Sequence, residues 1–598
     1  MKKRLYLFST LLTCGFSAAF GSAIPDTSLM ATGKWTKIRV KADAVYQMTY
    51  DELAELGYDN PEKVKVYGYT PTLLLTHSTD KIPGDLTPIH TVNVPSQKKI
   101  FFYLADNYNS SPEIWRTSGL ASSYVNDHLL HAHSEGATYF LSDVETSAAT
   151  TKKQSAPSKY APETSFTSHK AVYYHENDEL LMGRGGAWYI ENPTVTTSNG
   201  ITHEFTVSHL ASSSASLFYA AALAPTNTNK DNYMKTEFSE GITAEPSEGF
   251  TPQILGDKYE YNPSLRYQEL SLPLTVEPTT HSITFKINDG GLQKKACALD
   301  YFALIYERSN DLSVRPQTMM YYTNWTSGDK KVFELSGINA EDWMVWNVTD
   351  PMSIKIVQLT QNGDKFYGSL SNATKQKPNE VVAFNTADEQ PSPEIIGSVD
   401  NQNLHAMSVP DMLIVTSTPL LSSAEYVASI HRRLQGLEVA VVDQQKIFNE
   451  YGSGNTSPEA VRRFIGHLSS REPEKLKGVL MLGPGTTDNR GRVGGNNAYV
   501  VTTSFSVWFV ILWGHAPSRS HSSEKSVSPG IGSASPSSTT RVQPSSCASA
   551  RTSASSGNVS PTSSSIPSMS SPGSSQNTIE VKSQSASPCL SNSIPVGP

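Results

Sequence analysis

Residues 411–490 decide the fold: DMLIVTSTPLLSSAEYVASIHRRLQGLEVAVVDQQKIFNEYGSGNTSPEAVRRFIGHLSSREPEKLKGVLMLGPGTTDNR, from Asp411 to Arg490. The short apolar run MLIV at 412–415 lies between Pro410 and a Thr/Ser cluster and predicts a strand. After it Leu421, Ala424, Val427, Ala428, Ile430 and Leu434 recur at three and four residues, the spacing of a helix with one apolar face. Gly436 stands where that helix would end in a left-handed cap. A second apolar run occupies 437–442, and Ser457-Pro458-Glu459 supplies an N-cap, a first-turn proline and an acidic first turn for a helix through Leu468. The third run, VLML at 479–482, ends in Gly483-Pro484-Gly485. Strand, helix, strand, helix, strand with short joints is the pattern of a doubly wound parallel sheet. Ligands and chemistry in such sheets gather beyond the carboxyl ends of the strands. Thr416, Asp443 and the loop 483–488 are therefore expected on the reactive edge.

The same residues carry a family likeness. Ile447-Phe448-Asn449-Glu450-Tyr451 with Gly452-Ser453-Gly454, then Ala460-Val461-Arg462-Arg463-Phe464-Ile465, then 482–490 (LGPGTTDNR) resemble the opening of a gingipain-type (family C25) cysteine peptidase domain. The resemblance is strongest to the large sortase-like members that serve type IX secretion, and Pro484 departs from it where the family carries Asp in a Gly-Asp-Gly turn. Further pieces, VYQMTYDEL at 45–53, His133 to Leu141, Trp188 with Tyr189, 299–308 and Trp346 to Pro351, extend it over about residues 30–501. It implies β-rich N-terminal domains followed by a caspase/gingipain-like parallel sheet, cysteine endopeptidase chemistry, exported proteins as substrates or partners, and calcium as the metal that suits the family.

The chain opens with Lys2-Lys3-Arg4, an apolar stretch over 5–20 and the small residues Gly21-Ser22-Ala23, which predicts a signal peptide over 1–23. Export to the surface, outer membrane or periplasm of a Gram-negative bacterium follows. No other apolar run is long enough to span a bilayer as a helix. Lys+Arg 48 against Asp+Glu 56 gives a net charge of −8 with no basic block, which excludes a nucleic-acid partner. Cys14, Cys297, Cys547 and Cys589 form no disulfide framework, and Cys297 reads as a small buried hydrophobe.

Between these ends the pattern divides the chain. Residues 24–145 alternate as strands around a short helix at 50–57, an α+β domain. Residues 146–165 are rich in Thr, Ser, Lys and Pro, the composition of a linker. Short alternating runs at 201–207, 216–223, 266–272, 282–287 and 299–306 predict a β-sandwich over 166–310. A β-rich connecting region follows over 311–407, and then the front part of the C25-like domain over 408–502. His128, His131 and His133 lack the carboxylate or cysteine that would complete a zinc spacing and are expected in a loop. Trp188 and Tyr189 are expected to pack one sandwich face rather than stack on a sugar.

From 503 the character changes. Residues 518–598 hold 30 Ser, no Phe, Tyr or Trp, no Asp, and only Glu524 and Glu580 as acids. Such a tail buries too little apolar surface to offset its ordering entropy and is expected to be disordered. The abrupt change reads as a chain out of frame, with the peptidase domain truncated. A cysteine peptidase needs a thiolate beside an imidazole. The candidates are His515, after Gly514 and an apolar run, and Cys547, whose neighbours Val542 to Ser546 form no strand to hold it. His431 and His467 lie on the two helices and are expected at the surface. Two functions follow: a gingipain-like cysteine endopeptidase, here truncated and inactive, or a non-catalytic surface or adhesion protein whose β-sandwich binds glycans or proteins.

Overall fold

The computed structural model describes residues 23–501, apart from 75–81, 107, 111–127, 131–132, 135, 147–151, 162, 176–177, 183–186, 191–199, 224–232, 245–263, 289–296, 324–329, 371–377, 486–489 and 491–499. The signal peptide, the tail, His515 and Cys547 lie outside the described residues, as do the side chains of Trp188, Tyr189 and Cys297.

The front of the chain holds β1 (Trp35–Val40), β2 (Ala44–Thr49), α1 (Tyr50–Glu55), β3 (Lys65–Tyr67), β4 (Lys99–Leu104) and β5 (Ala137–Ser142). Helix α1 starts where it does because Thr49 and Glu52 form a capping box: Thr49 Oγ1 accepts from the Glu52 N–H, and the Glu52 carboxylate accepts from the Thr49 N–H. Strands β1, β5 and β3 form one sheet and β2 with β4 part of another, and Ile38, Met48, Leu53, Val66, Phe102 and Tyr139 share the core between them.

The sandwich is built from β6 (Ser168–His175), β7 (Ile201–Val207), β8 (Leu210–Leu223), β9 (Ser264–Ser271), β10 (Thr279–Asn288) and β11 (Cys297–Ser309). Strands run in the order β9-β8-β11-β6 in one sheet, and β10 lies between β7 and Tyr233–Phe238 in the other. Period-two alternation sends Leu217, Tyr219, Phe302 and Leu304 inward against Phe205 and Phe285 of the facing sheet. The larger sheet does not stop at residue 310. Lys170 of β6 pairs with Tyr321 of β12 (Gln317–Tyr322), and the sheet continues through β14 (Asn379–Asn385) to β13 (Trp343–Asn347). Within the stretch expected as a linker, Lys152–Gln154 is a strand, parallel to Lys355–Val357.

The chain then returns to its front. β15 (Glu394–Val399) adds to the free edge of β1, antiparallel, with Trp35 opposite Val399. It leads into β16 (Met412–Thr416), α2 (Leu421–Gln435), β17 (Val439–Asp443), α3 (Gln444–Tyr451), α4 (Pro458–Arg471) and β18 (Gly478–Leu482). The three strands are parallel in the order β17-β16-β18, the doubly wound arrangement the periodicity predicts. Gly436 caps α2 at φ 66°, a left-handed conformation that suits glycine, and Ser457 Oγ caps α4 on the Glu459 N–H. Helix α3 is an element beyond the expected five.

The two faces of this sheet are covered unequally. Leu413 and Val415 pack against Ile447 and Phe448 of α3 and Phe464 of α4, whereas Ile414 shares a cluster with the small, buried Ala424 and Ala428 and the partly buried Val427 of α2. Leu434, expected inside, is 71% exposed and Tyr426 69%. Every residue of β18 is half-buried, against four fully buried residues in β16, and among the described residues no strand pairs along the outer edge of β18.

Polar groups join this α/β segment to the front domain. The buried Arg463 of α4 donates from Nη1 to Tyr69 Oη at 3.0 Å and Tyr451 O at 2.8 Å, and from Nη2 to Pro83 O at 2.6 Å. Tyr69 donates its N–H to Ser453 Oγ and its hydroxyl to Tyr451 O. Lys37 donates to Gly454 O at 2.7 Å, and Asn455 Oδ1 accepts from the Thr138 N–H at 2.8 Å. The approach at Gly454, φ 80°, is so close that a Cβ there would meet the Thr138 methyl at 2.8 Å. Removing Arg463 strands the acceptors of both halves in a buried place. Arg463→Ala should therefore destabilise the joined unit by roughly 3 kcal/mol or more, seen as an earlier first transition in urea; a shift below about 1 kcal/mol would mean that the seam contributes little.

Candidate functional site

In a parallel sheet of order β17-β16-β18 one crossover runs from β16 out to β17 and the next from β17 back past β16 to β18, which makes the carboxyl ends of β16 and β18 the edge where such folds place a crevice. The buried Thr416, last residue of β16, donates from Oγ1 to Leu482 O at 2.7 Å and ties the two ends together. Past β18 the chain turns at Gly483, and Val500 returns to donate its N–H to Pro484 O at 3.0 Å, bridged in parallel to Gly485. Val501 N donates to Gln444 Oε1 at 3.1 Å, which fixes the returning chain to the start of α3. Pro484, where the resembling family carries Asp, thus contributes a backbone carbonyl.

Asp443 sits on this edge as expected, but its carboxylate is occupied. Oδ1 caps α3 by accepting from the Gln445 N–H at 2.9 Å, and Oδ2 accepts from Thr418 Oγ1 at 2.6 Å. These contacts make Asp443 a brace for the edge. Of the loop 483–488, residues 486–488 lie outside the described residues. Among the described residues the edge presents backbone carbonyls, hydroxyls and amides, and neither an imidazole nor a thiol stands on it.

The imidazoles lie elsewhere. His467 is buried, contrary to the expectation of a surface position, because its Nδ1 bonds the Tyr451 hydroxyl at 2.7 Å beneath α3. His431 is half-buried and bonds Gln435 one turn on. The fully buried His405 lies with Nδ1 4.0 Å from Asp85 and Nε2 3.7 Å from Glu450. Burial lowers His405 to about 4, with His467 and Arg463 adding to it, so at neutral pH its contacts are polar rather than ionic. Burial raises Asp85 to about 6, opposed by the N–H groups of Leu29 and Leu86. Burial also raises Glu450, opposed by the Leu404 N–H and by Gln402, and lowers His467, with Arg471 adding to it. Carboxylate, imidazole and carboxylate in line resemble a catalytic relay in composition alone. His405 and Glu450 are sealed from solvent, Asp85 nearly so, and the group belongs to the seam with the front domain.

Periodicity gave no sign of this cluster. Arg463 falls inside a helical pattern, where an isolated charge reads as a solvated position, Glu450 lies in a helix that no apolar stripe announces, and Asp85 comes from a remote loop. Among the described residues no group of three or more His, Cys, Asp or Glu converges to hold a metal, so no step here rests on calcium. No described helix is long and apolar enough to cross a membrane.

Residues 405–532 match the family model of peptidase family C25. The matched span runs past residue 502; it includes His515 and ends before Cys547. Among solved structures the chain is similar to dimeric latent PorU from Porphyromonas gingivalis, with 20% identity and a TM-score of 0.65 over 79% of this chain and 44% of that one. The chain thus spans less than half the length of the protein whose fold it shares. A likeness to the VP2 subviral particle of infectious bursal disease virus, at 10% identity over 75% of this chain and 96% of that one, has a TM-score of 0.16, too low to carry an argument. No curated protein matches the sequence. The C25 resemblance read from the residues is therefore met by a family match over the α/β segment and by a shared fold over most of the chain.

The buried cluster generates a pH test. Asp85, raised to about 6, contributes stability that is full below the ordinary carboxylate range and is lost as pH rises through about 6. His405, lowered to about 4, contributes stability that is full above the ordinary imidazole value and is lost as pH falls through about 4. The two oppose each other over the same interval, so single substitutions expose them. Relative to wild type, Asp85→Asn should gain up to about 3 kcal/mol between pH ~4 and ~7, and His405→Gln should gain as pH falls from ~6.5 to ~4, both measured by denaturant unfolding. A difference independent of pH in both variants would show that the cluster does not titrate across the seam.

Proposed function

We propose that the α/β segment is the front of a C25-type cysteine peptidase domain, carried on an exported chain, and that this chain does not assemble a working His/Cys pair. The observation that carries the reading is the β17-β16-β18 order, whose switch point lies at the carboxyl ends of β16 and β18, inside the residues that match the family. Chemistry at such a crevice comes from loops that follow the strands, and a nucleophilic thiol works only when a framework holds it against its base.

Cys547 lies beyond the matched residues, within 518–598, whose 30 Ser and lack of aromatic residues supply no such framework. His515 lies inside the match and after an apolar run, and is the better supported of the two candidates. The half-buried β18, with nothing pairing along its outer edge among the described residues, agrees with a sheet that lacks its next neighbours. Other exported proteins are the proposed substrates or partners of the parent activity, of the sortase-like kind that serves type IX secretion, at the cell surface to which the signal peptide directs the chain.

The chain purified without residues 1–23 should not hydrolyse peptides after basic or other residues, with thiol reductant present and with or without calcium. Its Cys547 should react with iodoacetamide no faster than a free thiol. Turnover that is abolished by Cys547→Ala and by His515→Ala would overturn the reading.

A further inference from the structure

At one end of the sandwich, cationic side chains gather with few acceptors. Arg308 of β11 lies in register between His169 of β6 and Leu210 of β8, so His169 and Arg308 project from the same face. His209 precedes Leu210 in a left-handed conformation, φ 53°, rare for a residue with a Cβ, and its carbonyl accepts from the Ser309 N–H at 2.8 Å. Arg315 folds back over the same backbone, donating from Nη2 to Ser309 O at 3.0 Å and to Asp311 O. Arg308 uses Nη2 on Ser208 Oγ at 3.2 Å, and His169 uses Nδ1 on Asn310 Oδ1 at 2.8 Å.

The remaining nitrogens reach no acceptor: Arg308 Nε, Arg315 Nε and Nη1, His209 Nδ1 and His169 Nε2. The acidic groups nearby answer them only in part: Asp311 acts electrostatically on Arg315 and His209, and Glu277 on His209, but none hydrogen-bonds these nitrogens. Asp311 spends Oδ1 on the Ser313 N–H, Glu277 is exposed, and Glu307 pairs with Lys170 at 3.0 Å. Two guanidiniums thus lie beside each other with Asp311 as an electrostatic partner and with buried donors left over, an arrangement that a bound anion would complete. The titration behaviour agrees. Burial and then Arg308 lower Arg315 to about 9, opposed by Asp311, and burial followed by the two arginines lowers both His169 and His209, opposed at His209 by Asp311 and Glu277.

We propose that Arg308, Arg315 and His209 form a binding site for an oxyanion of the phosphate class. Planar guanidinium N–H groups match phosphate oxygens in pairs, which a point charge does not. Arg308, Arg315 and His209 are each half-buried while the donor nitrogens are shielded, so their own flexible outer atoms close the site and reorient when the anion enters. His169, buried behind them and held well below the ordinary imidazole range, is neutral at neutral pH and adds no charge. Val314, 57% exposed and next to Arg315 in the chain, supplies apolar surface at the site. A phosphate borne on an amphiphile gains that contact, and a free phosphate does not.

The test uses the chain without residues 1–23 at constant ionic strength. Inorganic phosphate should raise the unfolding temperature in a saturable way beyond matched chloride, and vesicles with phosphatidate in phosphatidylcholine should carry the protein in flotation while phosphatidylcholine alone does not. Arg308→Gln and Arg315→Gln should each weaken binding about tenfold or more. If Arg315→Gln fails to fold, Arg308→Gln alone decides. Binding to phosphatidate vesicles without a phosphate response supports the site and assigns it to a headgroup; a phosphate response without vesicle binding supports it and assigns it to the free ion. Absence of both, or binding that survives in the folded variants, overturns it.

Discussion

A buried arginine organises the junction on which the peptidase-like segment depends. Arg463 projects from α4 into the front domain, where the carbonyls of Tyr451 and Pro83 and the Tyr69 hydroxyl accept its hydrogens. A buried cation is tolerated only when its donors are met, so α4, the loop at Pro83 and the turn after α3 must hold one relative position. The neighbouring contacts obey the same rule. Lys37, lowered to about 8 chiefly by burial, gives its ammonium to Gly454 O, and Glu450 accepts from the Leu404 N–H and Gln402. Strand β15 reinforces the arrangement by pairing with β1 before the chain enters the sheet. The front domain thereby acts as a wall of the α/β segment.

That wall supports one side only. Leu413 and Val415 face a layer of Phe448, Phe464 and Ile447, while the opposite face meets the smaller side chains Ala424, Val427 and Ala428 of α2, and β18 is half-exposed throughout. The carboxyl edge is braced rather than armed: Thr416 joins β16 to β18, and Asp443 holds α3 and Thr418. These contacts shape a crevice and leave its chemistry to whatever follows β18.

Much of this was legible in the residues because it depends on local rules. Gly436 as a left-handed cap, Ser457-Pro458 as a helix start, and three apolar runs with short joints dictate their elements whatever the surroundings. The failures have tertiary causes. Helix α3 is short and nearly all buried, including the polar Gln444, Asn449 and Glu450, so no apolar stripe announces it. His467 lies inside because Tyr451, from another helix, offers a hydroxyl, and Leu434 lies outside because α2 meets the sheet through Ala424 and Ala428. The Thr/Ser/Lys-rich composition of 146–165 gave no hint that Lys152–Gln154 joins a sheet, since its partner lies at Lys355–Val357. Composition also suggested a boundary at 310 that one continuous sheet crosses. The cluster of Asp85, His405 and Glu450 was invisible for the same reason: its members meet only in the folded chain.

If the α/β segment is held through its front-domain face and unsupported beyond β18, its stability must fall across the sheet. Hydrogen exchange read segment by segment on the purified chain measures that gradient directly. Amides of β16, between two strands and behind α3, should exchange nearly as slowly as those of β11 in the sandwich core. Amides of β18 should exchange faster than either, by about two orders of magnitude for a local opening about 3 kcal/mol easier. Equal protection of β16, β18 and β11 would contradict the account, since it would mean that the three-stranded sheet is complete as it stands.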